Sequence, residues 1–336
     1  MKKVFLSMCM VAGFALIISS CKKKDEVSEM SIGVPAFEEE VDGRAYIDIS
    51  NGNKFKWNAN DEVVIYNLDN KDGGNQSERA IYRTTANAEG QTLATFSYNR
   101  GDVLTAKKYG YFVFYPVSKI DEQNALDGDN YETFTVSNSQ NYTVVNGYPT
   151  TDPEGMAMAC DLSSLNGTFT LKHIFGNLRL KLKGTGKVTS IVVEDSRFNL
   201  SGSASMKLHN VKMEKFSSLQ NAFINTDDPY GDYTFSTAWA EYMGPGQSGE
   251  GLNYSTQGGG KTMTLDCGEG VQLNNSSETH FFIGLRPGAL KYGFKVYVYV
   301  DGKADPYEFD YTGTNNLHYG IKAGVNKGLS LSGINN

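Results

Sequence analysis

Short segments in which apolar and polar residues alternate, separated by turn residues, constrain this chain more than any other feature. The clearest lies at residues 43–66, where apolar and polar residues alternate on both sides of an Asn51-Gly52 turn. A period of two predicts β-strands with one buried face, because successive side chains of a strand point to opposite faces. Further segments of strand character lie at residues 80–83, 92–98, 109–116, 133–136, 178–183, 190–194, 262–265, 281–285 and 294–300.

The composition agrees with this pattern. The chain contains 20 Tyr, 18 Phe and 36 Gly but only 8 Pro, which is typical of strands and turns. No window carries a sustained apolar stripe at the helical period, so we predict an all-β protein. Its 336 residues favour two domains. Gly184 and Gly186 predict a linker, which gives β-sandwiches at residues 45–185 and 186–336.

Ahead of these domains, a weaker strand pattern covers residues 31–40. It alternates through Ile32 and Val34 before reaching Pro35. Proline has no backbone N–H to donate to a neighbouring strand, so this pattern predicts a strand at the edge of a sheet.

The N-terminal residues predict that the protein is located outside the cytoplasm. Two lysines precede an apolar run at residues 4–18, which is too short and wrongly flanked for a membrane span and predicts a signal peptide over residues 1–20. The following Ser19-Ser20-Cys21 resembles a lipobox, which implies cleavage before Cys21 and acylation of this cysteine. Lipid chains at Cys21 would hold the protein to the outer membrane through a polar tether. The alternative is an ordinary secretory signal beside an incidental cysteine.

Charge and the remaining cysteines limit the partners further. The net charge of -7 argues against nucleic acid, because phosphate binding requires a basic surface. Once Cys9 leaves with the signal and Cys21 is acylated, Cys160 and Cys267 remain. They form either one disulfide or two buried free thiols, and the sequence favours the thiols.

Several features follow one another along the chain. They are Cys21, Arg44 before the first body strand, Trp57 with Asp61, Tyr115-Pro116 closing an aromatic strand, the strand around His173, and Ile321-Lys322-Ala323-Gly324. The same features recur together, and in this order, in the fimbrillins, which are the subunits of the protease-assembled (type V) pili of Bacteroidota. The chain resembles this family over nearly its whole length.

The resemblance implies two transthyretin-like β-sandwich domains, with an N-terminal strand from residues 21–44 in a groove of the first. It also implies that a trypsin-like protease cuts between Arg44 and Ala45, and that the freed groove accepts a strand from another pilus subunit. The protein would then be a structural or accessory subunit, an anchor or a tip, of a cell-surface fimbrium that supports adhesion. The alternative for Arg44 is an exposed turn residue with no role in processing.

The C-terminal segment at residues 319–334 has the pattern that a donor strand requires. Ile321, Ala323 and Val325 alternate along it, and Leu329 and Leu331 continue with the same parity. An extended segment with this pattern presents one apolar face. The alternative is that it forms the last strand of the second domain.

Motifs for catalysis and metal binding are missing from the sequence. It contains no His-Glu-x-x-His and no Gly-x-Ser-x-Gly, and its four histidines lack the spacing of metal ligands. We therefore expect no enzyme activity, no cofactor and no metal ion. A second hypothesis for function is a surface glycan-binding lipoprotein, in which exposed tyrosine rings would bind sugars.

Overall fold

The computed structural model describes residues 29–33, 46–48, 54–67, 78–104, 111–117, 131–145, 147–162, 165, 168–207, 252–254, 259–286, 289–290, 293–312, 320–321 and 326–335. The strands are, in chain order, β1 (Glu29–Gly33), β2 (Tyr46–Asp48), β3 (Lys54–Lys56), β4 (Glu62–Asn67), β5 (Arg79–Thr84), β6 (Leu93–Gly101), β7 (Tyr111–Tyr115), β8 (Tyr131–Val136), β9 (Ser139–Asn141), β10 (Thr143–Val145), β11 (Tyr148–Thr150), β12 (Met158–Leu162), β13 (Thr168–Thr170), β14 (Lys172–His173), β15 (Gly176–Gly184), β16 (Lys187–Asp195), β17 (Gly202–Lys207), β18 (Leu252–Tyr254), β19 (Thr262–Gln272), β20 (Thr279–Leu285), β21 (Phe294–Val300), β22 (Tyr307–Asp310) and β23 (Asn326–Ile334). Short 3-10 turns lie at Ala86–Ala88 and Pro153–Gly155. The prediction of an all-β protein is confirmed.

The alternating segments form strands because alternation lets each strand bury one face. In β21, Phe294, Val296 and Val298 are fully buried, whereas the residues between them are partly exposed. In β15, the leucines of the alternating segment are buried in the same way. The period of two in the sequence therefore corresponds to real inward-facing positions.

The first half of the chain forms one eight-stranded sheet in the order β13-β1-β6-β5-β4-β7-β12-β14. Its two edge strands are consecutive in the sequence and are separated only by Leu171. Eight flat strands would place these edges about 34 Å apart, whereas two Cα steps span at most about 7 Å. The sheet must therefore curl until its edges meet, so that the two layers of the first half are parts of one sheet.

The inside of this curled sheet is a hydrophobic core of its own. Its members are fully or almost fully buried and come from nearly every strand of the sheet. They include Met30, Ile32, Trp57, Val63, Ile65, Ala80, Tyr82, Phe96, Val113, Tyr115, Met158, Cys160 and Leu171. The outer face contributes Val64, Tyr66, Ile81 and Phe114 to a second core, which it shares with the second half of the chain.

The second half is built mainly from two sheets, one in the order β20-β15-β23 and one in the order β22-β21-β16-β19-β9. Their apolar faces meet in the shared core, where Leu180 and Leu331 of the smaller sheet are grouped with Ile191 and Val298 of the larger one. A third sheet has the order β18-β17-β8, and β2-β3 and β10-β11 form two-stranded ribbons.

The sheets do not divide at the predicted domain boundary near residue 185. Strand β15 lies before this position, yet both of its partners, β20 and β23, lie after it. Gly184 and Gly186 belong to the tight connection from β15 to β16, which lie in the two facing sheets. The two glycines thus connect the sheets of one sandwich, and the strands that belong to the second half begin earlier in the chain.

Candidate functional site: the slot of the first strand

Strand β1 lies inside the first sheet, between β6 and β13. It pairs antiparallel with β6, with Met30 opposite Phe96 and Ile32 opposite Ala94, and parallel with β13. The prediction of an edge strand is therefore wrong. The strand ends at Gly33, before Pro35, so the missing N–H of proline does not interrupt its pairing. We call the space that β1 fills between β6 and β13 the β1 slot.

The side chains of β1 alternate as its sequence predicts. Met30 and Ile32 are 3% and 0% exposed and belong to the inner core, whereas Ser31 between them is half-buried. Burying an aliphatic side chain of this size contributes about 1.5–3 kcal/mol relative to leaving it in water. An empty β1 slot would therefore cost several kcal/mol, before any backbone hydrogen bond is counted.

Trp57 contacts the main chain of β1 directly. Its indole Nε1 donates a hydrogen bond to the carbonyl oxygen of Ile32, at 3.1 Å. The indole is 0% exposed, and its ring meets the rings of Phe96 and Tyr115 edge to face, with centroid distances of 4.9 and 5.2 Å. These contacts restrict the ring to one orientation.

The backbone of Trp57 is anchored as well. Its N–H donates to the carbonyl of Gln91 at 2.8 Å, and its own carbonyl accepts from the N–H of Gly90 at 2.9 Å. The segment that carries the indole is therefore tied to the turn that precedes β6, which is one wall of the β1 slot.

Asp61, the other residue of the Trp-x-x-x-Asp motif, binds a residue that packs against the indole. Its carboxylate accepts the N–H of Asn58 at 2.8 Å and the hydroxyl of Tyr115 at 3.2 Å. Burial, with a smaller contribution from the nearby Glu89 carboxylate, raises the pKa of Asp61 to about 6, although the two hydrogen bonds act to lower it. Because Tyr115 packs on the indole, the motif links a buried carboxyl to the residue that holds β1.

The residues predicted for processing and lipidation, Arg44, Ala45 and Cys21, lie outside the described residues, so these assignments stay predictions. The described chain resumes at β2, two residues after Arg44, where β2 pairs with β3. Any cut after Arg44 would therefore separate β1 from every later strand.

The predicted donor segment is divided in the same way. Ala323 and Val325 lie outside the described residues, whereas Ile321, Leu329 and Leu331 are 0%, 5% and 2% exposed. Strand β23 pairs parallel with β15 and completes the smaller sheet of the second half. In this structure the tail is therefore the last strand of its own sandwich, and a donor role stays a prediction.

Strand β23 also contains a buried polar residue that sequence reasoning missed. The side-chain amide of Asn326 is 0% exposed, and neither its nitrogen nor its oxygen has a hydrogen-bond partner. An unsatisfied buried polar group costs about 1–3 kcal/mol. No sequence signal pointed to it, because Asn326 lies on the opposite parity from the apolar alternation that includes Leu329 and Leu331.

The remaining candidates form no second site among the described residues. Cys160 and Cys267 are both buried, lie in separate cores and form no disulfide, as the sequence favoured. No group of three His, Cys, Asp or Glu side chains within the described ranges could hold a metal ion. None of the helical segments in the described part of the chain has the length and hydropathy of a membrane span.

No protein-family model and no curated protein sequence matches this chain. Several solved structures do. A "putative cell adhesion protein" from Bacteroides ovatus has 12% sequence identity and a TM-score of 0.47, and the match covers 90% of this chain and 91% of that one. Another from Bacteroides uniformis has 13% identity and a TM-score of 0.42, covering 80% and 84%. A tip fimbrial protein from Porphyromonas gingivalis, truncated at its C-terminus, has 9% identity and a TM-score of 0.28, covering 84% and 81%. The matched structures are those of putative cell adhesion proteins and of fimbrial proteins.

Proposed function

We propose that this protein is a structural or accessory subunit of a cell-surface pilus, anchored by lipid at Cys21 and assembled by strand exchange in the β1 slot. Proteolysis after Arg44 frees β1, and a strand from another copy or another subunit takes its place. The observation that carries this proposal is that β1, an interior strand of a curled sheet, lies entirely upstream of Arg44.

The position of β1 makes it a natural barrier to premature assembly. While residues 34–45 connect β1 to the rest of the chain, β1 competes for the slot at an effective concentration on the order of millimolar. A strand of another subunit, present at far lower concentration, cannot displace it. A cut after Arg44 turns β1 into a separate peptide, and this advantage is lost when the peptide diffuses away.

The tail has the side-chain pattern that the slot accepts. In β1, Met30 and Ile32 point inward on either side of Ser31. In β23, Leu329 and Leu331 lie inward on either side of exposed Ser330. The same apolar-serine-apolar triplet would place two aliphatic side chains in the slot and a small polar one on its outer face, which is how strand addition combines backbone pairing with alternate side-chain pockets.

Limited proteolysis tests the proposal. Brief trypsin treatment of the folded protein should cut first after Arg44, yield a fragment that begins Ala45-Tyr46-Ile47, and give ladders that resist sodium dodecyl sulphate. Arg44→Gln should abolish both the fragment and the ladders, whereas the matched change Arg197→Gln, at an arginine that is exposed in the structure, should abolish neither. A first cut at Arg79 or Arg197, or clean cleavage after Arg44 without ladders, would contradict the proposal.

The glycan-binding alternative gains no support from the described aromatic residues. Among the tyrosines whose side-chain exposure is described, Tyr98 at 43% and Tyr299 at 37% are more than a third exposed. They lie on β6 and β21, which belong to different sheets. Tyr98 also packs against Tyr82 and donates its hydroxyl to the carbonyl of Gly101 at 2.6 Å. The two rings therefore do not form one platform.

A further inference from the structure

The hydrogen bond that joins Trp57 to β1 goes to the main chain of β1 and not to one of its side chains. The indole Nε1 donates to the carbonyl oxygen of Ile32, at 3.1 Å, and every residue of any strand carries such a carbonyl. The contact is fully buried and joins residues 25 positions apart in sequence. This hydrogen bond therefore depends on whether a strand occupies the slot and on the position of its main chain, and not on the amino-acid sequence of the strand.

The donor is also positioned before a strand arrives. Phe96 and Tyr115 hold the indole edge to face, and Gln91 and Gly90 bind its backbone; none of these residues belongs to β1. Trp57 loses little freedom when it accepts a strand, and a preorganised contact of this kind favours binding. Removal of β1 takes this acceptor away from a buried indole N–H, which disfavours the empty slot.

The slot needs a contact of this kind if it is to accept strands of different sequence. Its pockets select an alternating apolar pattern, which Met30 and Ile32 provide in β1. Leu329 and Leu331 differ from them in shape, so pocket contacts will differ between the two strands. Only main-chain interactions are the same for both.

We infer that Trp57 is the positioning residue of the β1 slot, which binds the main chain of whichever strand occupies it, first β1 and then an alternately apolar strand of another subunit. For the second strand, which comes from another subunit, the inference rests on the proposed function. For β1, the role of Trp57 can be tested in the uncleaved chain, without strand exchange.

The first test is amide hydrogen exchange of β1 in the intact full-length chain. Trp57→Phe should raise exchange at residues 29–33 about tenfold, because one net hydrogen bond of about 1.4 kcal/mol corresponds to a factor of ten. Replacement of Trp57 by benzothienylalanine, which keeps the ring shape and lacks the N–H, should do the same and serves if Trp57→Phe fails to fold. Exchange of β1 that stays at the wild-type rate with the benzothienyl analogue would overturn the inference.

The second test uses two peptides, residues 27–36 and residues 325–334, added to the protein after cleavage at Arg44 and removal of β1. Loss of the indole N–H should weaken both peptides by the same factor of about ten. Phe96→Leu, which changes a pocket next to the indole, should weaken them by different factors. Unequal factors for the indole variant would show that Trp57 recognises side chains and would overturn the inference.

An ester in place of the amide between Ile32 and Gly33 sharpens this test, because it weakens the carbonyl that accepts from Trp57. Its effect on the first peptide should be several-fold smaller in the indole variant than in wild type, as a double-mutant cycle requires for two groups in contact. If the cleaved wild-type protein binds neither peptide, the proposed strand exchange fails, while the exchange rates of the intact chain still decide the role of Trp57 toward β1.

Discussion

The first and last strands of this protein resemble each other in sequence pattern and differ in where the fold puts them. Both β1 and β23 alternate apolar and small polar residues, and both pair parallel with one neighbour, β13 and β15 respectively. However, β1 lies between two strands of its sheet, whereas β23 lies at the end of a three-stranded one. Removing β1 opens a gap with two walls, and removing β23 merely shortens a sheet.

The polar groups around the two strands differ as well. The main chain of β1 receives an additional donor from Trp57. Strand β23 begins with Asn326, whose buried amide has no partner. Its other end is docked closely, since the carbonyl of Ile334 accepts the N–H of Thr185 at 2.8 Å. The first strand is therefore held by side-chain and main-chain contacts on both sides, whereas the last strand is well docked at Ile334 and carries an unsatisfied buried amide at Asn326.

The largest expected effect comes from placing a charge in the slot. Ile32→Asp puts an unpaired carboxylate at a fully buried position of β1 and should destabilise the first half by about 4 kcal/mol or more, measured by urea unfolding. The matched change Ser31→Asp, on the half-buried outer side of the same strand, should cost less than about 1 kcal/mol. Equal effects of the two changes would show that the alternation of β1 does not define a buried face.

The stability of the two halves should change in opposite directions with pH. The folded pKa of Asp61, raised to about 6 by burial, lies above its ordinary value of 3.8. Its contribution to stability is therefore complete below about pH 4 and is lost as the pH rises through 6, by on the order of 2 kcal/mol. Exchange of the amides of β4 and β7 should accelerate over this range, and Asp61→Asn should remove the acceleration.

His280 in β20 should give the opposite slope. Arg179 donates a hydrogen bond to Nδ1 of His280 at 2.9 Å. Burial and the charge of Arg179 lower the pKa of His280 to about 4, below its ordinary value of 6.5. The unfolded chain binds more protons between these values, so the second half should gain stability as the pH rises from 4 to 6.5. His280→Gln should flatten this rise. The same slope in both halves would contradict the assignment of the two groups.

A smaller effect on stability is expected at the start of β23, where the buried amide of Asn326 has no hydrogen-bond partner. Asn326→Leu replaces the unsatisfied amide with an apolar group of similar size and should stabilise the second half by about 1–2 kcal/mol in urea unfolding. Ser332→Leu, at an exposed position of the same strand, should change stability by less than about 0.5 kcal/mol. A destabilised Asn326→Leu protein would mean that the amide contributes favourably where it lies.

The sequence predicted the positions of the strands better than it predicted which strands pair with each other. Alternation located β15 and β21, because the period of two is a local property that burial preserves. It misplaced β1 at an edge, because Pro35 was taken as part of a strand that ends at Gly33. It also placed β15 in the wrong half of the molecule, since the pairing of β15 with β20 and β23 joins residues far apart in the chain.

The candidate site shows the same limit. Trp57 and Asp61 were recognised as a motif, but their function depends on a carbonyl of β1 and on the hydroxyl of Tyr115, which the sequence cannot place beside them. Asn326 was missed because whether a buried amide has a partner depends on packing and not on spacing.

The central claim, that the β1 slot accepts a strand of another copy, is tested most directly by a disulfide across the slot. Ser31 of β1 faces Thr95 of β6, and Ser330 holds the corresponding position in β23. The full-length protein would carry Thr95→Cys and Ser330→Cys, with Cys9 and Cys21 changed to Ser, and labelled and unlabelled copies would be mixed and oxidised. We predict that, only after cleavage at Arg44, mass spectrometry finds a disulfide joining positions 95 and 330 of different copies. A control with Glu269→Cys in place of Ser330→Cys should give none. No 95–330 disulfide between copies after complete cleavage and release of β1, or the same yield without cleavage, would contradict it.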